Sequence, residues 1–115
     1  MAYSMPNASI RRRVLEEELA RILPLIIDVG VSKVILFGSL AEDALRSASD
    51  LDLMLVKETD ERFVDRLSEL YETIQPRVAI DLLVYTPIEF RRLQRESSFV
   101  RHAVATGKIL YEKNA

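Results

Sequence analysis

The chain holds 115 residues with 16 basic and 18 acidic side chains, a net charge of −2, a hydrophobic fraction of 49% and a charged fraction of 30%. Such a length fits one domain of the common size, about 100–150 residues, with apolar mass for a single core. The charge balance leaves a nucleic-acid partner unsupported. The lack of cysteine excludes a disulfide framework, a thiolate zinc site and a cysteine nucleophile, and suits a reducing cytoplasm.

The opening stretch "MAYSMPNASIRRR" has no apolar signal core, and no run approaches the ~20 apolar residues of a membrane span. The expectation is a cytoplasmic protein with no membrane segment. Residues 1–8, small and polar around Pro6, read as a flexible N-terminus, and residues 9–115 as one domain. From Ser9, a candidate N-cap, Ile10, Val14, Leu15, Leu19, Ile22 and Leu23 share one helical face, with "RRR" and "EEE" turned mostly to water. Pro24 is expected to kink or end that helix.

"VSKVILF" is β-branched and aromatic up to Gly38 and reads as a buried strand. "GSLAEDALRSAS" follows as a turn with a short helix or loop. "DLDLMLV", 50–56, is a second strand, apolar on both faces beyond its first residues, which requires cover on both sides. Phe63, Val64, Leu67, Leu70, Tyr71 and Ile74 keep helical spacing up to Pro76. "VAIDLLV", 78–84, is a third strand broken by one charge, Asp81. "TPIE", 86–89, has the form of a capping box and starts a helix; a further helix runs from Ser97 or Ser98 to about Ala105, and "KILYE" forms a last extended piece. The fold class is α/β (α+β): a small mixed sheet of three to four strands packed with four to five helices. Phe63, Tyr71, Phe90 and Phe99 are assigned to the core, and His102, a single histidine without a paired ligand, to the surface.

Asp50 and Asp52 raise a chemical question, because charges at the mouth of an otherwise buried strand are costly unless partnered or solvated. Alternation puts both on one face, roughly 6–7 Å apart along the strand. If the second and third strands are neighbours, Asp81 joins them. Three carboxylates in a small volume repel and raise one another's pKa values. Hard oxygen donors without His or Cys favour Mg²⁺ or Mn²⁺ over zinc. Two such ions about 3.5–4 Å apart stabilise both oxygens of an in-line displacement, which points to phosphoryl or nucleotidyl transfer. Gly38-Ser39, at the end of the first strand, lets backbone approach a ligand and offers amides and a hydroxyl to phosphate.

Gly-Ser followed eleven residues after Ser39 by Asp50-x-Asp52, with a third Asp on a later strand, resembles the signature of the DNA polymerase β-like nucleotidyltransferase superfamily. It is most similar to the minimal nucleotidyltransferase (MNT) group, commonly the antitoxins of HEPN/MNT toxin–antitoxin pairs. The resemblance runs from about Ile10 to Glu112. It implies that Gly38 and Ser39 hold nucleotide phosphates, that Asp50 and Asp52 bind two Mg²⁺ ions, and that Asp81 is base and metal ligand. Arg46 keeps a family position near the phosphates. The implied reaction is AMP transfer from ATP to a tyrosine of a HEPN partner, silencing that toxin within a homo- or hetero-oligomer.

The loop departs from the family's usual Gly-Ser-Arg-Ala-Arg-Gly: the two cations are Leu40 and Glu42, and the glycine is Asp43. Added negative charge near a triphosphate is unfavourable by Coulomb's law, while Asp tolerates a left-handed turn better than most residues. The rival expectation, from a different class, is a non-catalytic antitoxin of the same fold that neutralises its partner by binding alone.

Overall fold

The computed structural model describes residues 4–45 and 50–113. Among these, four helices and four strands follow in the order α1 (Ser4–Asp28), β1 (Lys33–Phe37), β2 (Leu51–Val56), α2 (Phe63–Ile74), β3 (Ile80–Tyr85), α3 (Pro87–Glu96), α4 (Ser98–Thr106) and β4 (Lys108–Glu112). The expected mixed sheet is present, with strand order β3-β2-β1-β4. β1 runs antiparallel to β2 and β4, whereas β2 and β3 are parallel. A parallel pair needs a crossover connection, and α2 supplies it.

Each inner strand is apolar on both faces because each face is covered. On one side Leu36, Leu53, Leu55 and Leu82 meet Leu15, Ile22 and Ile26 of α1 and Leu70 and Ile74 of α2. On the other, Ile35, Phe37, Met54 and Val56 meet Phe90 of α3 and Val100 and Ala103 of α4. The capping box forms as its sequence requires: the Glu89 amide donates to Thr86 Oγ1 at 3.2 Å, and the Thr86 amide donates to Glu89 Oε1 at 2.9 Å. The free edge of β3 is covered by side chains. Tyr71 donates to the Ile80 carbonyl at 2.8 Å and Arg66 to the Val84 carbonyl at 3.0 Å, which blunts the edge against pairing with another chain.

α1 differs from expectation at both ends. It begins at Ser4 rather than at Ser9, so residues 4–8 of the stretch expected to be flexible extend the helix. Pro6 falls in the first turn, where its missing N–H would have no intrahelical partner. Pro24 does not end the helix, which continues to Asp28; Ile22 and Ile26, fully buried on either side of it, hold both flanking turns in the core. Ile10 and Val64, assigned to apolar faces, are 61% and 67% exposed.

Glu18, expected to face water with its neighbours, is buried. Its carboxylate accepts from Arg21 at 2.7 and 2.9 Å and from the Arg77 amide at 2.6 Å. Arg21 also donates to the carbonyls of Ile74 and Gln75, each at 3.2 Å, so this pair ties α1 to the end of α2. No helix of the described residues is long and apolar enough to cross a membrane.

The Arg21 guanidinium holds the Glu18 carboxyl below its usual value of 4.5, against the opposing effect of burial. A depressed folded value gives stability that is present at neutral pH and lost as pH falls through it. Arg21→Met is therefore expected to lower the melting temperature by a few degrees at pH 7, with a smaller difference at pH 3.5. Equal losses at both pH values in thermal melts would contradict this role.

Candidate active site

The sheet brings the predicted acids together at one end of the α3/α4 side. In the register, Phe37 of β1 lies opposite Asp52 of β2, and Asp52 opposite Asp81 of β3. Neighbouring strands stand roughly 4.8 Å apart, so Phe37, Asp52 and Asp81 form one row across the sheet. Asp50, just before β2, shares the face of Asp52 by alternation. The conditional expectation that the second and third strands are adjacent is met.

Asp52 is the inner acid, half-buried between its neighbours, and Asp81 the outer, exposed one. The Asp52 carboxyl is pushed up to about 6, first by loss of water, then by hydrogen bonding to Asp81 and by the charges of Asp81 and Asp50. All these influences act in the same direction. The row therefore favours a proton or a bound cation over two adjacent bare carboxylates.

Gly38 closes the inner side of the row. Its φ is +77°, and a Cβ there would overlap the Asp52 carboxylate, standing 3.0 Å from Cγ. Glycine is thus required twice, by a left-handed conformation and by close packing on the acid. Ser39 opens a single helical turn, in which the Glu42 amide donates to the Gly38 carbonyl at 3.0 Å and the Ala44 amide to the Ser39 carbonyl at 2.9 Å. The amides at 39–41 come before the first ring closes, where a helical turn has donors to offer.

The three loop departures have distinct fates. Leu40 is buried in the core against α1 and α2. Asp43 adopts φ +57°, the left-handed conformation anticipated for a glycine substitute, and pairs with Arg12 of α1. Glu42 lies 3.6 Å from His102 Nε2 on α4. Arg46 lies outside the described residues.

A groove of about 430 Å³ runs from this row over the edge of β3, lined by Phe37, Asp52, Asp81, Leu83 and Phe99 and reaching Tyr71. A hollow beneath Arg66 and Glu69, about 20 Å³, has room for about one water and contains none of these acids. Phe99, assigned to the core from its spacing, is 53% exposed in the groove. Helical spacing reports a shared face, and this face is split between core and cleft. The Arg12–Asp43 pair had no local signal, because its members lie 31 residues apart in the chain.

The raised Asp52 value means that the folded chain keeps a proton between about 3.8 and 6 that the unfolded chain has lost. Stability falls as pH rises through that window, and the penalty is complete above it. In cation-free buffer, Asp52→Asn should melt at a higher temperature than the parent at pH 7.5, with the advantage gone by pH 4; a variant that melts lower at pH 7.5 would refute the repulsion. Gly38→Ala should cost about 2 kcal/mol or more in urea unfolding, from the left-handed backbone and the collision together.

The family model described as "Polymerase beta, Nucleotidyltransferase" matches residues 11–115. No curated protein matches significantly. Among solved structures, the chain is similar to a candidate nucleotidyltransferase from Sulfolobus solfataricus, with 17% identity and TM-score 0.64 over 92% of this chain and 87% of that one. It is similar to a chain of a toxin–antitoxin structure with AMP-PNP, with 20% identity and TM-score 0.55 over 83% and 73% of the two chains. It also matches a chain of a complex of tri-AMPylated Shewanella oneidensis HEPN toxin with MNT antitoxin, with 19% identity and TM-score 0.50 over 86% and 73%. At these identities the structural likeness speaks to the fold, while the family match spans nearly the whole sequence. The chain belongs to the polymerase β nucleotidyltransferase family.

Proposed function

We propose that this protein is a cytoplasmic, Mg²⁺-dependent nucleotidyltransferase that moves AMP from ATP to a tyrosine of a HEPN-family partner and so acts as its antitoxin. The observation that carries the reading is the Asp52–Asp81 pair held side by side against the Gly38 backbone. Family membership supports nucleotidyl transfer. The similar chains from complexes with AMP-PNP and with an AMPylated HEPN toxin support the nucleotide and the kind of partner.

Asp50, Asp52 and Asp81 offer only oxygen donors, which fit Mg²⁺ or Mn²⁺. Among the described residues no three such side chains already surround one point. Asp52 and Asp81 are in contact, however, and every influence on Asp52 favours added positive charge. When bound, two such ions supply charge to the phosphates and to the attacking and leaving oxygens. Asp50 and Asp52 would hold the ions, with Asp81 as a further ligand. Gly38 brings backbone close to the triphosphate, and Ser39 donates to its oxygens. Asp81, outermost and exposed, takes the proton of the acceptor hydroxyl as that oxygen bonds to the α-phosphorus; the bond from the α-phosphorus to the bridging oxygen breaks, and pyrophosphate leaves. The similar chains seen in complexes with toxins support an acceptor on a partner protein.

A second reading, neutralisation by docking alone, draws on the negative charge of Glu42 and Asp43 beside the turn. The Arg12 guanidinium, paired with Asp43, offsets part of that charge. The two readings separate when the protein, ATP and Mg²⁺ are incubated with the product of the adjacent gene and that product is weighed by intact mass spectrometry. The expected result is a gain of one or more AMP residues, slowed more than about 100-fold by Asp50→Asn with Asp52→Asn. A partner that is bound and silenced with no gain in mass would replace catalysis by docking.

A further inference from the structure

Phe99 sits in the first turn of α4 and is 53% exposed, the aromatic member of the exposed large apolar side chains of the described residues. The others, Ile10, Val14, Val64, Ile88 and Ile109, do not line the groove beside the acids. An exposed ring without a role would gain by moving inward. Phe99 is instead held outward. Ser97 caps its helix by accepting from the Val100 amide at 3.2 Å, and the ring meets Phe37 edge-on at 5.7 Å between centroids and 89° between planes. Such a contact cannot cover both faces of the Phe99 ring.

The position is as specific as the pose. Phe37 immediately precedes Gly38 and lies opposite Asp52. Phe99, packed on Phe37, therefore stands next to both the Gly38-Ser39 turn and the carboxylate row, within the same groove. A nucleotide with its phosphates on the turn and the acids has its base one ribose away. The groove, about 430 Å³, has the size of sites that take small organic ligands.

We propose that Phe99 is the platform on which the base of the bound nucleotide stacks, an inference that rests on the nucleotidyltransferase reading above. A rigid aromatic ring offers a π-face at little further entropic cost, and stacking of this kind accepts any base because every base has a π-face. The flanking Phe37 and Leu83 are apolar and supply no hydrogen-bonding set to read a base edge. Phe99 accordingly contributes affinity for the nucleoside without choosing between adenine and guanine.

The test is calorimetric titration of Mg²⁺-ATP, Mg²⁺-GTP and Mg²⁺-tripolyphosphate into the parent, Phe99→Ala, Phe99→Leu and Phe99→Trp. Alanine and leucine should each weaken ATP and GTP alike by roughly 5- to 100-fold, leave tripolyphosphate unchanged, and be rescued by tryptophan. Leucine keeps an apolar contact for Phe37, so its result separates a lost π-face from a damaged fold. Unchanged ATP affinity in both variants would overturn the platform while leaving the nucleotidyltransferase reading in place. Equal weakening of ATP and tripolyphosphate would also overturn it, by making Phe99 a prop for the turn. A parent protein that binds neither ligand would defeat the nucleotide reading and this inference with it.

Discussion

The parallel register of β2 and β3 is the constraint on which the site depends, because it sets Asp52 directly beside Asp81. Two carboxylates in a half-buried row repel, and the isolated chain answers with a proton held up to about pH 6 on Asp52. The placement is tolerated because the other face of the same strands is well packed. Leu53, Leu55, Leu82 and Val84 bury almost completely under α1 and α2, and that packing fixes which residues stand opposite one another. A one-residue slip would send the acids to the packed face, so the core that stabilises the sheet also enforces the repulsion at its end.

Gly38 makes the arrangement tighter, since its missing side chain is the space that the Asp52 carboxylate occupies. Beyond it, the turn is tethered to both helical layers. Leu40 packs into the α1/α2 core, Asp43 pairs with Arg12 of α1, and Glu42 faces His102 of α4. Where the family usually carries cations within the loop, this chain carries an apolar anchor and two acids whose partners come from α1 and α4. Exposed pairs of this kind add little stability; what the Arg12 pair does is place a guanidinium beside the turn from outside it. Phe99, on the same helix as His102, then brings α4 into the site with a second type of contact.

Much of this was legible in the sequence where the signal is local. Continuous apolar runs marked β1 and β2, the Thr86–Glu89 spacing marked the start of α3, and alternation alone put Asp50 and Asp52 on one face. Asp81 was legible only conditionally, because strand order is set by long-range packing and not by a local pattern. Helical periodicity identifies apolar faces without saying where each one runs out, which is why it assigns Ile10 and Val64 to apolar faces, Phe99 to the core and Glu18 to water although the first three are exposed and Glu18 is buried. Pro24 was a local stop signal that the tertiary burial of Ile22 and Ile26 overrides. The polar partners of the loop came from elements far away in the chain and left no trace in its own sequence.

On the proposed function, the row of carboxylates holds a divalent cation beside a nucleotide. Titrating Mn²⁺ into the protein with a non-hydrolysable ATP analogue, followed by the loss of the free-ion electron paramagnetic resonance signal, tests it most directly. Saturable Mn²⁺ binding that Asp50→Asn with Asp52→Asn abolishes is the predicted result. Mn²⁺ behaviour identical in the two proteins, and explained by the nucleotide analogue alone, would contradict it.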